Sequence, residues 1–330
     1  MRQVRAPPTA TTLNLRTTIR LGLRVLQQRA HLRRPLFATF SVTDRCNVRC
    51  DGCVYYANLD DHVVRERERT DRALTLLRGL AEGGVPVVSF AGGEPFLRKD
   101  LGLLMRASAR MGMGVTVVTN AMVPNEDATR AAEEVCDAVV FSPHPPSELN
   151  GKNPTERWER AWQGFAELRR ALRRPTLTCG VTLGKHTVPV LEEILERAIA
   201  AGADRIRCHP NFFPEQFPDR ASVERAAALL RRWTARYPKR FDDPGVFLDD
   251  LPSFFGERPR VPCTADRRLS LGLLLDGTVS ACCAAHVPIG NLFERPLATM
   301  LTERIEDHPD CFGCNRYEVV RALALLGEPI

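Results

Sequence analysis

Cys46, Cys50 and Cys53 stand in the spacing Cys-x3-Cys-x2-Cys, just after the apolar run Leu36–Val42 that reads as a strand. Three thiolates on one short loop can hold three irons of a [4Fe–4S] cube. The fourth iron is then left without a protein ligand, an arrangement suited to chemistry at that iron rather than to storage. A structural zinc site would want a fourth Cys or His nearby. The next cysteine is Cys136, and the nearest histidine, His62, lies in a charged stretch.

A second chemical group closes another strand-like run. Val85–Ala91 ends directly in Gly92-Gly93-Glu94-Pro95. Two glycines let the backbone turn sharply and approach a ligand, Glu94 offers a carboxylate to an ammonium group, and Pro95 stiffens the turn. Gly-Gly alone is also an ordinary strand-to-helix turn, so this segment gains meaning only beside the cysteines.

Together the two motifs resemble the radical S-adenosylmethionine (radical SAM) superfamily, over residues from about 36 to 215. The resemblance implies that Cys46, Cys50 and Cys53 hold a [4Fe–4S] cluster whose open iron takes the methionyl amine and carboxylate of S-adenosylmethionine. It places Gly92, Gly93, Glu94 and Pro95 on the cofactor, with Glu94 facing the methionyl amine. Ser142 resembles the fourth-strand contact to the cofactor's ribose or carboxylate. An electron from a flavodoxin- or ferredoxin-type donor would cleave the sulfonium, and the 5′-deoxyadenosyl radical would remove a hydrogen atom from a substrate carbon. One departure stands out: many members carry an aromatic residue just before the third cysteine, where this chain has Gly52, with Tyr55 and Tyr56 close by.

The elements that must position these groups alternate as a parallel barrel requires. Strands are expected at Leu36–Val42, Val85–Ala91, Gly114–Thr119, Ala138–Ser142, Thr176–Leu183 and Arg205–Pro210. Helices with a 3.6-residue period are expected at Asp71–Glu82, Leu101–Met111, Asn125–Val135, Pro154–Leu172 and Val188–Ala201. The fold class is therefore α/β, a partial (β/α)6 TIM-like barrel with a small C-terminal β-hairpin/helix domain. Working groups in such barrels lie at the C-terminal strand ends. Those ends carry Thr119 and Asn120, Ser142 and His144, Thr182 and Lys185, and His209 and Asn211. Asn120, Ser142 and Thr182 are the candidate cofactor contacts among them, although each alone also fits a capping or turn role.

Residues 216–258 hold no cysteine and one basic helix, Ala221–Tyr237, and read as a connector. In residues 259–330, Leu269–Leu275 and Thr278–Ala281 flank Asp276-Gly277, a favoured hairpin turn. Cys263, Cys282, Cys311 and Cys314 surround that hairpin. The pattern resembles the module appended to many radical SAM enzymes, called SPASM with two auxiliary clusters and twitch with one. By that resemblance the four cysteines ligate a second [4Fe–4S] cluster; four-thiolate zinc shares the Cys-x2-Cys signature. Cys283 is then surplus, and adjacent residues on a strand face opposite ways, so it is the candidate hydrogen donor. Cys179 and Cys208 are its rivals, and Cys136 is expected in the core.

Composition agrees with a globular enzyme: 330 residues, 44% hydrophobic, 26% charged, with a formal charge of +6. No run is long and apolar enough to span a bilayer, and eleven cysteines at metal-ligand spacings without a signal peptide point to a reducing cytoplasm. The charge does not argue for nucleic acid. In residues 1–35 no acidic residue occurs, and Leu15, Ile19, Leu23 and Leu26 share a helix face opposite Arg16, Arg20 and Arg24. A helix packed under the barrel is expected there ahead of a membrane-surface role. One compact auxiliary module suggests a small-molecule substrate, oxidised or epimerised. The alternatives are a peptide-modifying or maturase enzyme and a lipid- or isoprenoid-modifying one.

Overall fold

The computed structural model describes residues 22–23, 26, 35–53, 68–211, 213–241, 248, 251–255, 268–281 and 287–303. In chain order the elements are β1 (Phe37–Ser41), β2 (Arg49–Cys50), α1 (Thr70–Glu82), β3 (Val87–Ala91), α2 (Leu101–Arg110), β4 (Gly114–Thr119), α3 (Glu126–Val135), β5 (Ala138–Phe141) and β6 (Leu149–Asn150). There follow α4 (Pro154–Ala171), β7 (Thr176–Leu183), α5 (Leu191–Ala200), β8 (Arg205–Pro210), α6 (Arg220–Arg236), β9 (Ser270–Leu273), β10 (Thr278–Ser280), β11 (Pro288–Asn291) and α7 (Leu297–Met300).

Six strands, in the order β1-β3-β4-β5-β7-β8, pair in parallel. They are the six strands expected from the apolar runs, and a helix follows each, as right-handed parallel crossovers demand. Element ends differ from expectation by a residue or two for local reasons. Asn125, for example, caps α3 from outside it by accepting from the Ala128 N–H at 3.0 Å. The expected helix at Val188 begins instead as a single 3-10 turn, Val188–Val190, ahead of α5.

Buried and half-buried residues alternate along β1, β3, β5 and β8, so one face of the sheet is fully buried and the other only partly. Phe40 and Phe90 meet across β1 and β3 with ring centroids 6.2 Å apart. Phe141 of β5 stacks on Phe165 of α4 at 4.6 Å and meets Trp162 edge-on at 5.0 Å. Burying each such ring contributes about 1.5–3 kcal/mol, which fastens the outer helices to the sheet.

The hairpin does not stand apart from the barrel. β9 pairs in parallel with β1, Phe37 opposite Ser270, and β10 and β11 add antiparallel strands beyond it, giving one nine-stranded sheet from β11 to β8. Gly277 makes the turn at φ +92°, where a Cβ would collide with Asn291 and Phe293, so glycine is required there. The C-terminal segment thereby seals the free edge of the strand that feeds the Cys46 loop. In the N-terminal segment, Gly22, Leu23 and Leu26 are helical, and Leu23 and Leu26 are exposed, so this part of the apolar stripe does not pack under the barrel. Cys263, Cys282, Cys283, Cys311 and Cys314 lie outside the described residues, as do Tyr55 and Tyr56.

Candidate functional site

Because the six strands are parallel, their C-terminal ends share one rim, and the chain leaving β1 and the chain leaving β3 meet there. The Gly93 N–H donates to the Thr43 carbonyl at 2.9 Å and the Glu94 N–H to the Arg45 carbonyl at 2.8 Å. A Cβ on Gly93 would lie 2.0 Å from the Arg45 oxygen, and one on Gly92, at φ +119°, 2.6 Å from the Thr43 oxygen. The two glycines therefore let one backbone lie against the backbone that enters Cys46; the close approach expected toward a ligand is made first toward the cysteine loop. Arg98, fully buried, reinforces the seam. It donates to the Val42 and Glu68 carbonyls, each at 2.7 Å, and its charge is met by Asp100.

Glu94 is buried at the centre of this seam. One carboxylate oxygen accepts from the Phe96 N–H at 2.9 Å and the Thr119 hydroxyl at 2.8 Å, and the other from the Asn120 N–H at 2.7 Å. Burial raises its pKa, and these three donors oppose the rise without cancelling it. A carboxylate has about four acceptor positions, so one is left over at Glu94. Asn120 carries the linkage onward, its side-chain amide donating to the Asn47 side chain at 2.8 Å within the cysteine loop.

The loop itself is braced from three sides. β2, which contains Cys50, pairs with β6 (Cys50 opposite Leu149), and the Asp51 N–H donates to the Glu148 carbonyl at 2.9 Å. The Asp51 carboxylate meets His186 at 2.9 Å and Lys185 at 3.0 Å on the loop after β7. Hydrogen bonds from His186, Lys185 and Gln216 hold it well below the usual carboxylate range. Gly52 has φ +73°, the left-handed region, and a Cβ there would strike the Gln216 side chain at 2.7 Å. The departure from an aromatic residue at this position thus has a backbone cause.

Cys46 and Cys50 are half-buried and Cys53 is exposed. All three are near enough for their charges to interact, and burial pushes the Cys46 thiol up to about 11. Metal binding is what makes such a thiol a thiolate. Three cysteines on one short loop, with Cys136, Cys179 and Cys208 buried in the core, have the ligand number of the three-thiolate mode of a [4Fe–4S] cluster. His144, on the segment after β5, donates to Glu148 at 3.0 Å and stands beside Cys50. Burial works to lower its pKa, but Glu148 and Cys50 outweigh it and hold the imidazole well above its ordinary value.

Of the other rim residues, Ser142 is half-buried, with its N–H bonded to the Thr119 carbonyl. Thr182 pairs with His209 at 2.9 Å on the far side of the rim. Glu94, Asn120 and the cysteine loop are brought together directly, whereas Thr182 and His209 pair on β7 and β8, next to the Lys185 and His186 that reach Asp51. Cys136, Cys179 and Cys208 are fully buried. Burial drives the Cys136 and Cys179 thiols far up, as for inert core residues. Sequence reasoning did not single out Asn47, Arg98, Asp51 or Glu148, because nothing local marks a polar loop residue whose partner is distant in the chain.

The model of the radical SAM superfamily matches residues 40–198, the stretch that contains the seam, the cysteine loop and its braces other than Gln216. The chain carries a radical SAM domain. Such a domain works with a [4Fe–4S] cluster and S-adenosylmethionine. Its relatives include the PqqA peptide cyclase of Xanthomonas campestris pv. campestris (strain B100), 27% identical over 327 residues, 89% of this chain and 84% of that one. The Fe-coproporphyrin III synthase of Methanosarcina barkeri (strain Fusaro / DSM 804) is 33% identical over 96 residues, only 29% of this chain and 24% of the relative. Among solved structures, Streptococcus suis SuiB bound to S-adenosylmethionine has a TM-score of 0.63 at 17% identity, covering 87% of this chain and 70% of SuiB. SuiB bound to precursor peptide SuiA has a TM-score of 0.62 at 16% identity, with 92% and 73% covered. At these identities the SuiB likeness establishes the fold, an α/β radical SAM barrel. Among the described residues no helix is long and apolar enough to cross a membrane.

Proposed function

We propose that this radical SAM enzyme modifies a peptide. The single observation that carries the reading is the extent of the match to the PqqA peptide cyclase, which spans most of both chains. The expectation of a small-molecule oxidation or epimerisation rested on the number of cysteines in the C-terminal segment. Ligand count reports on clusters and not on substrate, so the peptide alternative takes precedence. No observation favours a lipid or isoprenoid substrate.

In this reading Cys46, Cys50 and Cys53 would hold the cluster, which, given an electron from a flavodoxin- or ferredoxin-type donor, would supply radical chemistry from S-adenosylmethionine to the peptide. Gly92 and Gly93 seat the turn against the cysteine loop. Glu94 offers its remaining acceptor position to the methionyl ammonium, a charge-assisted bond. Asn120 positions Asn47 and with it the loop, while Ser142 and Thr182 line the rim where ribose and carboxylate would lie. Cys263, Cys282, Cys311 and Cys314 would hold a second cluster. The test is coexpression with each short open reading frame beside the gene, followed by mass spectrometry of the peptides and an in vitro assay of 5′-deoxyadenosine release. A peptide that stimulates release and loses two hydrogens supports cyclisation. Release stimulated by amines or sugars, and by none of these peptides, would return the small-molecule reading.

A further inference from the structure

Side chains alternate across a strand, and in the six parallel strands the two faces differ in chemistry. The face that carries Phe40, Phe90, Val117, Phe141 and Ile206 is fully buried, with Phe141 stacked on Phe165 of α4 at 4.6 Å. On the other face the register sets Thr39, Ser89, Thr116 and Ala138 in one row, and Val118, Val140, Thr178 and Arg205 in another. This inner face is mostly half-buried, and on β1, β3, β4, β5 and β7 it is uncharged. Its charge comes from β8, where Arg205, Arg207 and His209 follow one another at the spacing of one face. Arg205, at the start of β8, donates to the Lys239 carbonyl, and His209, near its end, pairs with Thr182 at 2.9 Å. Half-buried Arg207 lies between them, opposite Gly180 and roughly 7 Å below His209 along the strand. Gly180 brings no side chain to this floor, and a Cβ there would stand 2.9 Å from the Val140 side chain, so a larger residue would crowd the space beside Arg207.

We propose that Arg207 is a specificity-determining residue that receives a carboxylate of the peptide, from an acidic side chain or from the peptide's C-terminus. This deepens the peptide reading and rests on it. A guanidinium within a partly desolvated, hydroxyl-lined concavity attracts an anion more strongly than one at the surface, because water screens it less. Its planar fork matches a carboxylate with two parallel N–H bonds, which a lysine cannot do. The placement serves selection. The cysteine loop and Glu94 lie at the C-terminal rim of the strands, and Arg207 lies below that rim on the last parallel strand. A carboxylate held there anchors the chain from below, and the residues beside it in the peptide are the ones presented at the rim.

The test uses the peptide whose mass changes on coexpression, made synthetically in three forms: native, with each Asp or Glu changed singly to Asn or Gln, and amidated at its C-terminus. Peptide-stimulated 5′-deoxyadenosine release gives KM for anaerobically reconstituted wild type, Arg207→Gln and Arg207→Lys. Iron and the dissociation constant of S-adenosylmethionine are measured on each protein. With wild type, removing one particular carboxylate should raise KM about tenfold to a hundredfold, the loss of a charge-assisted bond. The form that loses affinity, acid-to-amide or amidated, identifies the source of the carboxylate. Arg207→Gln should raise KM for the native peptide by a similar factor and have little further effect on the form lacking that carboxylate, while Arg207→Lys recovers part of the loss. The peptide-side changes leave the enzyme's fold untouched. Native and neutralised peptides with equal KM on wild type would overturn the inference and leave the peptide reading standing. An Arg207→Gln protein that binds S-adenosylmethionine more weakly at full iron would also overturn it, by making Arg207 a contact to the cofactor's carboxylate. A coexpression screen that modifies no peptide would remove the peptide reading itself, and the inference with it.

Discussion

Gly93→Ala should dismantle the site while changing a single methyl group. The added carbon would sit 2.0 Å from the Arg45 oxygen and 2.5 Å from its carbonyl carbon, both backbone atoms that no rotamer change can move. Relief requires a separation of roughly an ångström more between the chains leaving β1 and β3, since real contacts to oxygen begin near 3 Å. That movement strains or breaks the Gly93–Thr43 and Glu94–Arg45 hydrogen bonds, each worth about 0.5–1.5 kcal/mol. Overpacking adds about 1–3 kcal/mol, for a total on the order of 2–6 kcal/mol. In a chain of this size the thermal midpoint should fall by about 4–10 °C. Iron retained after reconstitution should fall too, because Cys46 follows Arg45 directly. The assay is thermal denaturation of the metal-free chain together with iron quantitation. Gly22→Ala serves as control, since no heavy atom lies within 4 Å of its added carbon. A Gly93→Ala protein with wild-type midpoint and full iron would refute the argument that the glycines exist to admit the cysteine-loop backbone.

Glu94→Gln should weaken S-adenosylmethionine binding by roughly tenfold to a hundredfold, the equivalent of about 1.5–3 kcal/mol for a charge-assisted bond, with iron content retained; an unchanged dissociation constant measured anaerobically would leave Glu94 as a turn residue only. Because burial raises the Glu94 pKa, its contribution in the cofactor-free protein is fully present below the ordinary glutamate value and is lost as pH rises through the folded-state pKa. Denaturation across pH should show that slope in wild type and a flatter one in Glu94→Gln. Asp51→Asn should increase hydrogen exchange in residues 46–53 and 184–187 by releasing Lys185 and His186, and because the carboxylate is held far below its usual range, the wild-type tether should persist at pH 5; equal exchange in both proteins would show the ion pairs to be idle. Cys179→Ala should cost about 1 kcal/mol of stability and no activity, and an inactive but folded variant, shown by calorimetry and turnover, would reinstate Cys179 as a hydrogen donor.

The barrel was legible because β4, β7 and β8 are bounded by the same residues that bound the apolar runs, and because helices with a 3.6-residue stripe separate them. The cysteine loop and the Gly-Gly-Glu-Pro turn were legible because spacing alone limits what they can hold. Two pairings were not. β9 joins β1 across more than two hundred residues, and only burial of Leu271 and Leu273 against the barrel, a tertiary matter, selects that edge. The β2–β6 ladder is two residues long, too short for any period to show. The polar braces escaped for a related reason. Arg98, Asn47, Asp51 and Glu148 act through partners that loops bring together, and a loop sequence carries no register.

The central claim is a cluster on Cys46, Cys50 and Cys53 that drives cleavage of S-adenosylmethionine. It is tested most directly by reducing the anaerobically reconstituted chain with dithionite, measuring 5′-deoxyadenosine release, and counting iron on the same samples. Wild type should carry about eight irons from two four-iron clusters and release the nucleoside. The protein with Cys46→Ala, Cys50→Ala and Cys53→Ala together should keep about four irons and release none. Nucleoside release by that triple variant at the wild-type rate would contradict the account.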